Sequence, residues 1–166
     1  MDIGDFCTFE FLEEEYIKVD GLLINYPQSY PINLPAEKCQ NKQVHFIKDD
    51  FANSNGTVAL LHLGLNLGYI KNVNPLESYK ELNDCFGSSL EIGTEMYYVA
   101  VVIVDGDVLW MDGKLDGPIL LARNVEGSDV IRVLNEVIPP IFGITDDDPG
   151  PESLTMFYAS CHQIDD

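Results

Sequence analysis

The stretch from Glu95 to Met111 decides the fold of this chain. It reads Glu95-Met-Tyr-Tyr-Val-Ala-Val-Val-Ile-Val104, then Asp105-Gly106, then Asp107-Val-Leu-Trp-Met111. Asp-Gly between β-prone runs predicts a tight hairpin, because both residues accept the positive φ angles of a type I′ turn. The first run is almost wholly apolar, which predicts a central strand covered on both faces.

A third strand and a helix are expected to follow this hairpin. The apolar run Ile119-Leu-Leu-Ala122 extends the hairpin region to about 95–123. The next apolar residues recur at the spacing of one helix face, and they are Val130, Val133, Leu134, Val137 and Ile138. They predict a helix at about 128–138, with Ser128 as its N-cap and Pro139-Pro140 as its end.

The remainder of the chain predicts a second helix and further strands. Asn74-Pro-Leu-Glu77 combines an N-cap, a proline at the first position and a glutamate at the third, which predicts a helix at about 75–86. Strands are expected at 43–48, 57–67 and 154–160. Hairpins alternating with two helices indicate an α+β fold with a mostly antiparallel sheet, in a single acidic domain covering residues 1–166.

The charge of the chain is its most unusual property. It has 9 Lys and Arg against 28 Asp and Glu, a formal net charge of −19. Such a field repels nucleic acids and anionic membranes and attracts basic proteins, so we expect a basic protein partner, no nucleic acid and no membrane. The alternative, that the acidity serves solubility alone, stays open.

Motifs for catalysis, cofactors and secretion are missing. The N-terminus has neither a basic segment nor an apolar one, and the four cysteines are scattered without a CxxC pair, so we expect reduced thiols in the cytoplasm. An EF-hand loop counted from Asp105 would have Leu109 at its fifth position, which cannot ligate calcium. No cofactor, metal or catalytic residue is therefore predicted.

Two acidic segments are the candidate partner contacts. The first comprises Asp146, Asp147 and Asp148 with Glu152, in a stretch rich in proline and glycine that predicts a loop. The second is the run Glu13, Glu14 and Glu15. A loop can adapt its carboxylates to arginine or lysine side chains of a partner, although either segment can equally be a solvated turn.

Three classes of function fit these observations. The first hypothesis is a non-catalytic inhibitor that neutralises a basic protein, as immunity proteins and DNA-mimicking phage inhibitors do, and on it the chain is not an enzyme. The second is a small-ligand or carbohydrate-processing enzyme that uses scattered carboxylates. The third is a structural or assembly domain.

Overall fold

The computed structural model describes residues 2–6, 18–49, 54–70 and 96–160, with the backbone alone for 2–6. The elements in chain order are β1 (Asp2–Phe6), β2 (Gly21–Pro27), α1 (Asn55–Asn66), β3 (Met96–Val104), β4 (Asp107–Met111), β5 (Ile119–Ala122), a 3₁₀ turn (Gly127–Asp129), α2 (Val130–Ile141) and β6 (Thr155–Ser160). None of the described helices is long and apolar enough to cross a membrane.

The strands form one antiparallel sheet in the order β1-β6-β2-β3-β4-β5. The predicted hairpin is confirmed: β3 pairs with β4 from Ala100↔Met111 to Val104↔Asp107. At the turn, Asp105 and Gly106 have φ angles of 52° and 82°, as the Asp-Gly pair predicts. The prediction of an α+β fold with a mostly antiparallel sheet is therefore confirmed.

The two helices cover opposite faces of the sheet. Along β3, Val99 and Val101 point toward the α2 side, and Ala100 and Val102 point toward α1. All four side chains are fully buried, as a central strand with both faces covered requires.

The stretch 57–67 was expected to be a strand, and that expectation is wrong, because most of it lies in α1. Its side chains are apolar almost all round, which is typical of a buried helix as well as of a buried strand. Gly64 has a packing role in this helix: a Cβ there would lie 2.5 Å from Cδ1 of Ile70. Glycine therefore lets the chain fold back closely against the helix.

The helix at 128–138 is confirmed in type but shifted in position. Asp129, not Ser128, is the N-cap, and Pro139 and Pro140 lie inside α2 rather than ending it. Their carbonyls accept the N–H groups of residues 142–144 at 3.0–3.2 Å, which completes the C-terminal end of the helix. The 27–34 connection also holds this end, since Tyr30 donates its hydroxyl to the Phe142 carbonyl at 2.9 Å.

Other predictions are met, are wrong, or lie outside the described residues. The last strand is found at β6, and 145–152 is a loop. The strand expected at 43–48 is absent: residue 43 lies in a turn, and 44–48 form no ladder with a strand. The helix expected at 75–86 lies outside the described residues.

Candidate functional site

A cluster of polar side chains is buried where α1 begins and β4 ends. Its members are Asp49, Ser54, Tyr97, Asp112 and Lys114, which we call the buried polar cluster. Ser54 is the N-cap residue of α1, Tyr97 lies at the start of β3, and Asp112 directly follows β4. Four separate stretches of sequence thus converge on one place.

The centre of the cluster is a short hydrogen bond between a phenol and a carboxylate. The Tyr97 hydroxyl donates to Oδ1 of Asp112 at 2.6 Å, and the Lys114 backbone N–H donates to the same oxygen at 2.9 Å. Burial first, and the bond to Asp112 next, raise the pKa of Tyr97 far above its ordinary value. The phenol therefore keeps its proton and acts as a hydrogen-bond donor.

Asp49 forms the other half of the cluster. The Ser54 hydroxyl donates to its Oδ1, and the Lys114 ammonium lies 3.3 Å from its Oδ2 and 3.1 Å from its backbone carbonyl. The Asp49 side chain is 1% exposed and that of Lys114 is 49% exposed, so the pair joins the interior to the surface. Breaking such a pair costs more than its formation gains, because it leaves a buried charge without compensation.

An aromatic wall borders the cluster on the α2 side of the sheet. The Tyr26 ring meets Tyr97 edge to face at 5.7 Å and Phe142 at 5.2 Å. Burial, and then the nearby charge of Asp112, raise the pKa of Tyr26. These rings exclude water from one side of the Tyr97–Asp112 bond, which strengthens it.

The close approach of residue 49 to the turn after β4 depends on Gly113. The Asp49 N–H donates to the Gly113 carbonyl at 2.9 Å, and a Cβ on Gly113 would lie 2.7 Å from Cβ of Asp49 and 2.9 Å from Cγ1 of Val58. We expect Gly113→Ala to lower the free energy of unfolding by about 2 kcal/mol, because the cluster must shift.

Gly117→Ala is the matched control for this substitution. Gly117 lies in the same connection, and a Cβ there would meet nothing within 4 Å. We expect this variant to be as stable as the parent or slightly more stable. Denaturant unfolding of both variants tests the prediction, and equal stability of Gly113→Ala and the parent would contradict it.

The cluster offers donors and acceptors for hydrogen bonding, and its chemistry is limited by the side chains it contains. A phenol and an ammonium group can donate, and two carboxylates can accept. The described residues contain no group of three metal-ligating side chains. Cys39, the free cysteine within the described ranges, lies elsewhere, with its N–H bonded to the Pro118 carbonyl at 3.0 Å.

The sequence-predicted contacts are not part of this cluster. Asp146, Asp147 and Asp148 are exposed in the loop between α2 and β6, and Glu152 is exposed at its end. Asp148 organises the loop, since its Oδ1 accepts the Gly150 N–H at 2.9 Å. The run Glu13, Glu14 and Glu15 lies outside the described residues.

Sequence reasoning missed every member of the cluster as a functional residue. Tyr97 reads as sheet packing, and Asp112 reads as the first residue of an Asp-Gly turn. One modest signal is present in the sequence. The apolar run that forms β4 is followed directly by Asp112, and a turn alone does not require this carboxylate to be buried.

The fold is similar to solved structures of a ubiquitin C-terminal hydrolase. One is the UCH37 catalytic domain of Trichinella spiralis bound to ubiquitin vinyl methyl ester, at 14% identity over 95% of this chain and 83% of that chain, with a TM-score of 0.61. Another is UCH37 of the same organism bound to the same compound, at 15% identity over 95% and 71%, with a TM-score of 0.57. No protein-family model and no curated protein sequence matches the chain.

This likeness overturns the leading hypothesis from the sequence. A non-catalytic inhibitor of the immunity-protein or DNA-mimic type is wrong, and so is the interpretation that the chain is not an enzyme, because the matching fold is that of a hydrolase catalytic domain. Composition misled here: net charge determines solubility and long-range attraction, and it does not determine the fold. At 14–15% identity the comparison establishes the fold alone, which is similar to that of the UCH37 catalytic domain.

Proposed function

We propose that this chain is a ubiquitin-binding protein of deubiquitinase-like fold. The observation that carries the proposal is the match over 95% of the chain to structures whose partner is a ubiquitin derivative. A match of that extent includes the sheet and both described helices rather than one shared motif. The proposal names a protein partner, which also fits the strongly charged surface of this chain.

The buried polar cluster is the proposed functional centre. Two carboxylates and a phenol are buried together beside the partly exposed ammonium group of Lys114, and burial shifts the pKa of Tyr97 strongly. Ionisable groups held in this way are concentrated at functional sites. Lys114 is the member that reaches solvent, so it is the proposed point of access for a bound chain terminus.

The acidic loop is the proposed peripheral contact. Its carboxylates at Asp146, Asp147 and Asp148 are exposed, and they can pair with basic side chains on the surface of ubiquitin. Contacts of this kind at the rim of an interface speed association more than they tighten the final complex. A cytoplasmic location belongs to the proposal as well, because Cys39 is a free thiol.

Titration of isotope-labelled ubiquitin with the purified chain tests the proposal. We expect saturable chemical-shift changes confined to one face of ubiquitin. Unchanged spectra at a large excess of the chain would overturn the proposal. A Lys114→Gln variant should bind more weakly if the cluster is the centre, and Lys18→Gln, which removes another exposed lysine, is its control.

Incubation with ubiquitin vinyl methyl ester tests whether the chain carries a reactive nucleophile. The electrophilic double bond of this compound forms a stable adduct only with a nucleophile that reaches the bound C-terminus. Intact-mass measurement detects the adduct, and peptide mapping identifies the residue among Cys7, Cys39, Cys85 and Cys161 and the hydroxyl side chains. The presence or absence of the adduct shows whether a covalent step occurs, independently of whether ubiquitin binds.

Neutralising the acidic loop is expected to slow ubiquitin association. For the triple variant with Asn at 146, 147 and 148 we expect the association rate at low salt to fall roughly threefold to tenfold, since three attractive charges are lost. At high salt the two rates should converge because the attraction is screened.

A second triple variant serves as the charge-matched control. Asp105→Asn, Asp107→Asn and Glu126→Gln remove three carboxylates beside the β3–β4 turn and the start of α2. α2 separates these carboxylates, near its start, from the acidic loop that follows its end, and its 12 residues at about 1.5 Å each span about 18 Å. Equal slowing by both variants would show that total charge, and not the loop, sets the rate.

A further inference from the structure

Residues 43–49, which we call the strap, cross α1 without pairing in the sheet. Their backbone donors are held at alternate positions: the His45 N–H by Oδ1 of Asn66 at 2.9 Å, the Ile47 N–H by Nε2 of His62 at 3.0 Å, and the Asp49 N–H by the Gly113 carbonyl. Alternation with a period of two is the pattern of an extended strand. In two of these three hydrogen bonds the acceptor is a side chain of α1, Asn66 or His62, instead of the backbone of a neighbouring strand.

His62 connects the strap to the body of the protein. Its side chain is fully buried, and the Phe46 ring stacks on the imidazole at 5.1 Å and 19°. Acceptance of the Ile47 N–H by Nε2 places the ring proton on Nδ1, which is also buried. The strap and α1 are therefore joined through one imidazole in its neutral form.

Protonation of this imidazole weakens the closed strap. A proton on Nε2 would face the Ile47 N–H, so one acceptor would be replaced by two opposed donors. The Ile47 carbonyl, 3.2 Å from Nε2, offsets this only in part, since the charge would still be buried between Phe46 and the helix.

We infer that the strap is an acid-sensitive latch, which opens from α1 when His62 takes up a proton. Opening separates Asp49 from Gly113 and so detaches one side of the buried polar cluster. It also uncovers Phe46 and Val44, which pack against the core on the α1 side of the sheet. This inference concerns the free protein and does not rest on ubiquitin binding.

The charged groups around His62 come from the strap and from β4 with its following turn. α1 carries none, and those on the strap and on β4 with its following turn are His45, Lys48, Asp49, Asp107, Asp112 and Lys114. Burial has the largest effect and lowers the pKa of His62 to about 4, whereas the backbone carbonyls of Ile47 and Met111, and then the charge of Asp49, favour the protonated form.

The direction and size of the pH dependence follow from the difference between the pKa of His62 in the open strap and its pKa in the closed strap. In the open strap His62 is solvated and has its ordinary pKa of about 6.5, so the open form binds the proton more readily. The opening equilibrium therefore grows as pH falls from about 6.5 toward 4. Between pH 7.5 and pH 5 the expected increase is about 30-fold.

Amide hydrogen exchange measured by NMR tests the latch. After correction for intrinsic rates, the protection of the Ile47 and Asp49 amides should fall about 30-fold between pH 7.5 and pH 5. These amides should be less protected than Val102 in β3 and insensitive to low denaturant, because the opening is local. If they share the protection and denaturant response of Val102, the strap opens only with the whole protein and the inference fails.

Two histidine variants show which histidine causes the pH dependence of amide protection in the strap. His62→Gln keeps a side-chain acceptor for Ile47 and removes the titration, so the protection of that amide should no longer depend on pH. His45→Gln, at an exposed position of the strap, should keep the dependence. The same pH dependence in His62→Gln as in the parent would overturn the latch.

A measurement on the unaltered protein covers the case in which His62→Gln does not fold. The ring nitrogen shifts of His62 should report the neutral form protonated on Nδ1 at pH 7.5. A proton on Nε2 at that pH, or a ring that titrates like a solvated histidine, would also refute the inference.

Discussion

Replacing Val101 by Asp is expected to unfold the protein. Val101 is fully buried in the central strand, with Leu22 on one side and Trp110 on the other. A carboxylate there has no partner and no water, and the cost of several kcal/mol is comparable with the whole stability of a domain, about 5–15 kcal/mol. Circular dichroism and the fluorescence of Trp110, the only tryptophan, report the loss.

Ile103→Asp is the matched control on the same strand and the same face. Ile103 is only partly buried, so its carboxylate can reach water, and we expect a folded protein of reduced stability. Both variants introduce Asp into the same strand, so the effect of Asp on strand formation is common to them. The difference in their stability therefore reports the cost of burying the carboxylate. A Val101→Asp protein that melts within a few degrees of the parent would contradict the central position of β3.

Asp112→Leu is expected to cause the second largest loss, about 4 kcal/mol of unfolding free energy. The substitution removes the acceptor for both the Tyr97 hydroxyl and the Lys114 N–H, and a buried donor left without a partner costs about 1–3 kcal/mol. Tyr97→Phe removes one donor and should cost about 2 kcal/mol.

The double variant decides whether these residues act together. With both Tyr97→Phe and Asp112→Leu, the phenol no longer lacks an acceptor, so the combined loss should be close to that of Asp112→Leu alone. Denaturant unfolding of the four proteins measures this coupling. Losses that simply add would mean that the bond between Tyr97 and Asp112 contributes nothing of its own.

The hairpin was predictable because local rules and tertiary structure agree there. Asp105 and Gly106 require a turn by their backbone preferences, and the apolar run before them has no alternative to the centre of a sheet. The stretch that forms α1 was not predictable in the same way. Its apolar residues are spread around the whole helix, so their spacing shows no helical period. The need for glycine at position 64 becomes clear only from its contact with Ile70, six residues later.

The strap and the buried polar cluster could not be derived from local patterns. The strand that the sequence predicts at 43–48 is absent, and the N–H groups of His45 and Ile47 are bound instead by the side chains of Asn66 and His62. The cluster joins Asp49 to Asp112 through Lys114, and nothing in the spacing of these residues signals that they meet. Only the folded topology brings them together.

The order of strands in the sheet has a consequence for how the protein is made. β6 pairs with both β1 and β2, so β1 finds this neighbour only after β6, the last of the described strands in chain order, has been synthesised. While the ribosome is still translating, β2 can pair with β3, but its other edge stays open. Open strand edges are where nascent chains associate wrongly. The yield of this protein in a cell should therefore depend on chaperone supply and translation speed, even for variants whose finished fold is as stable as the parent.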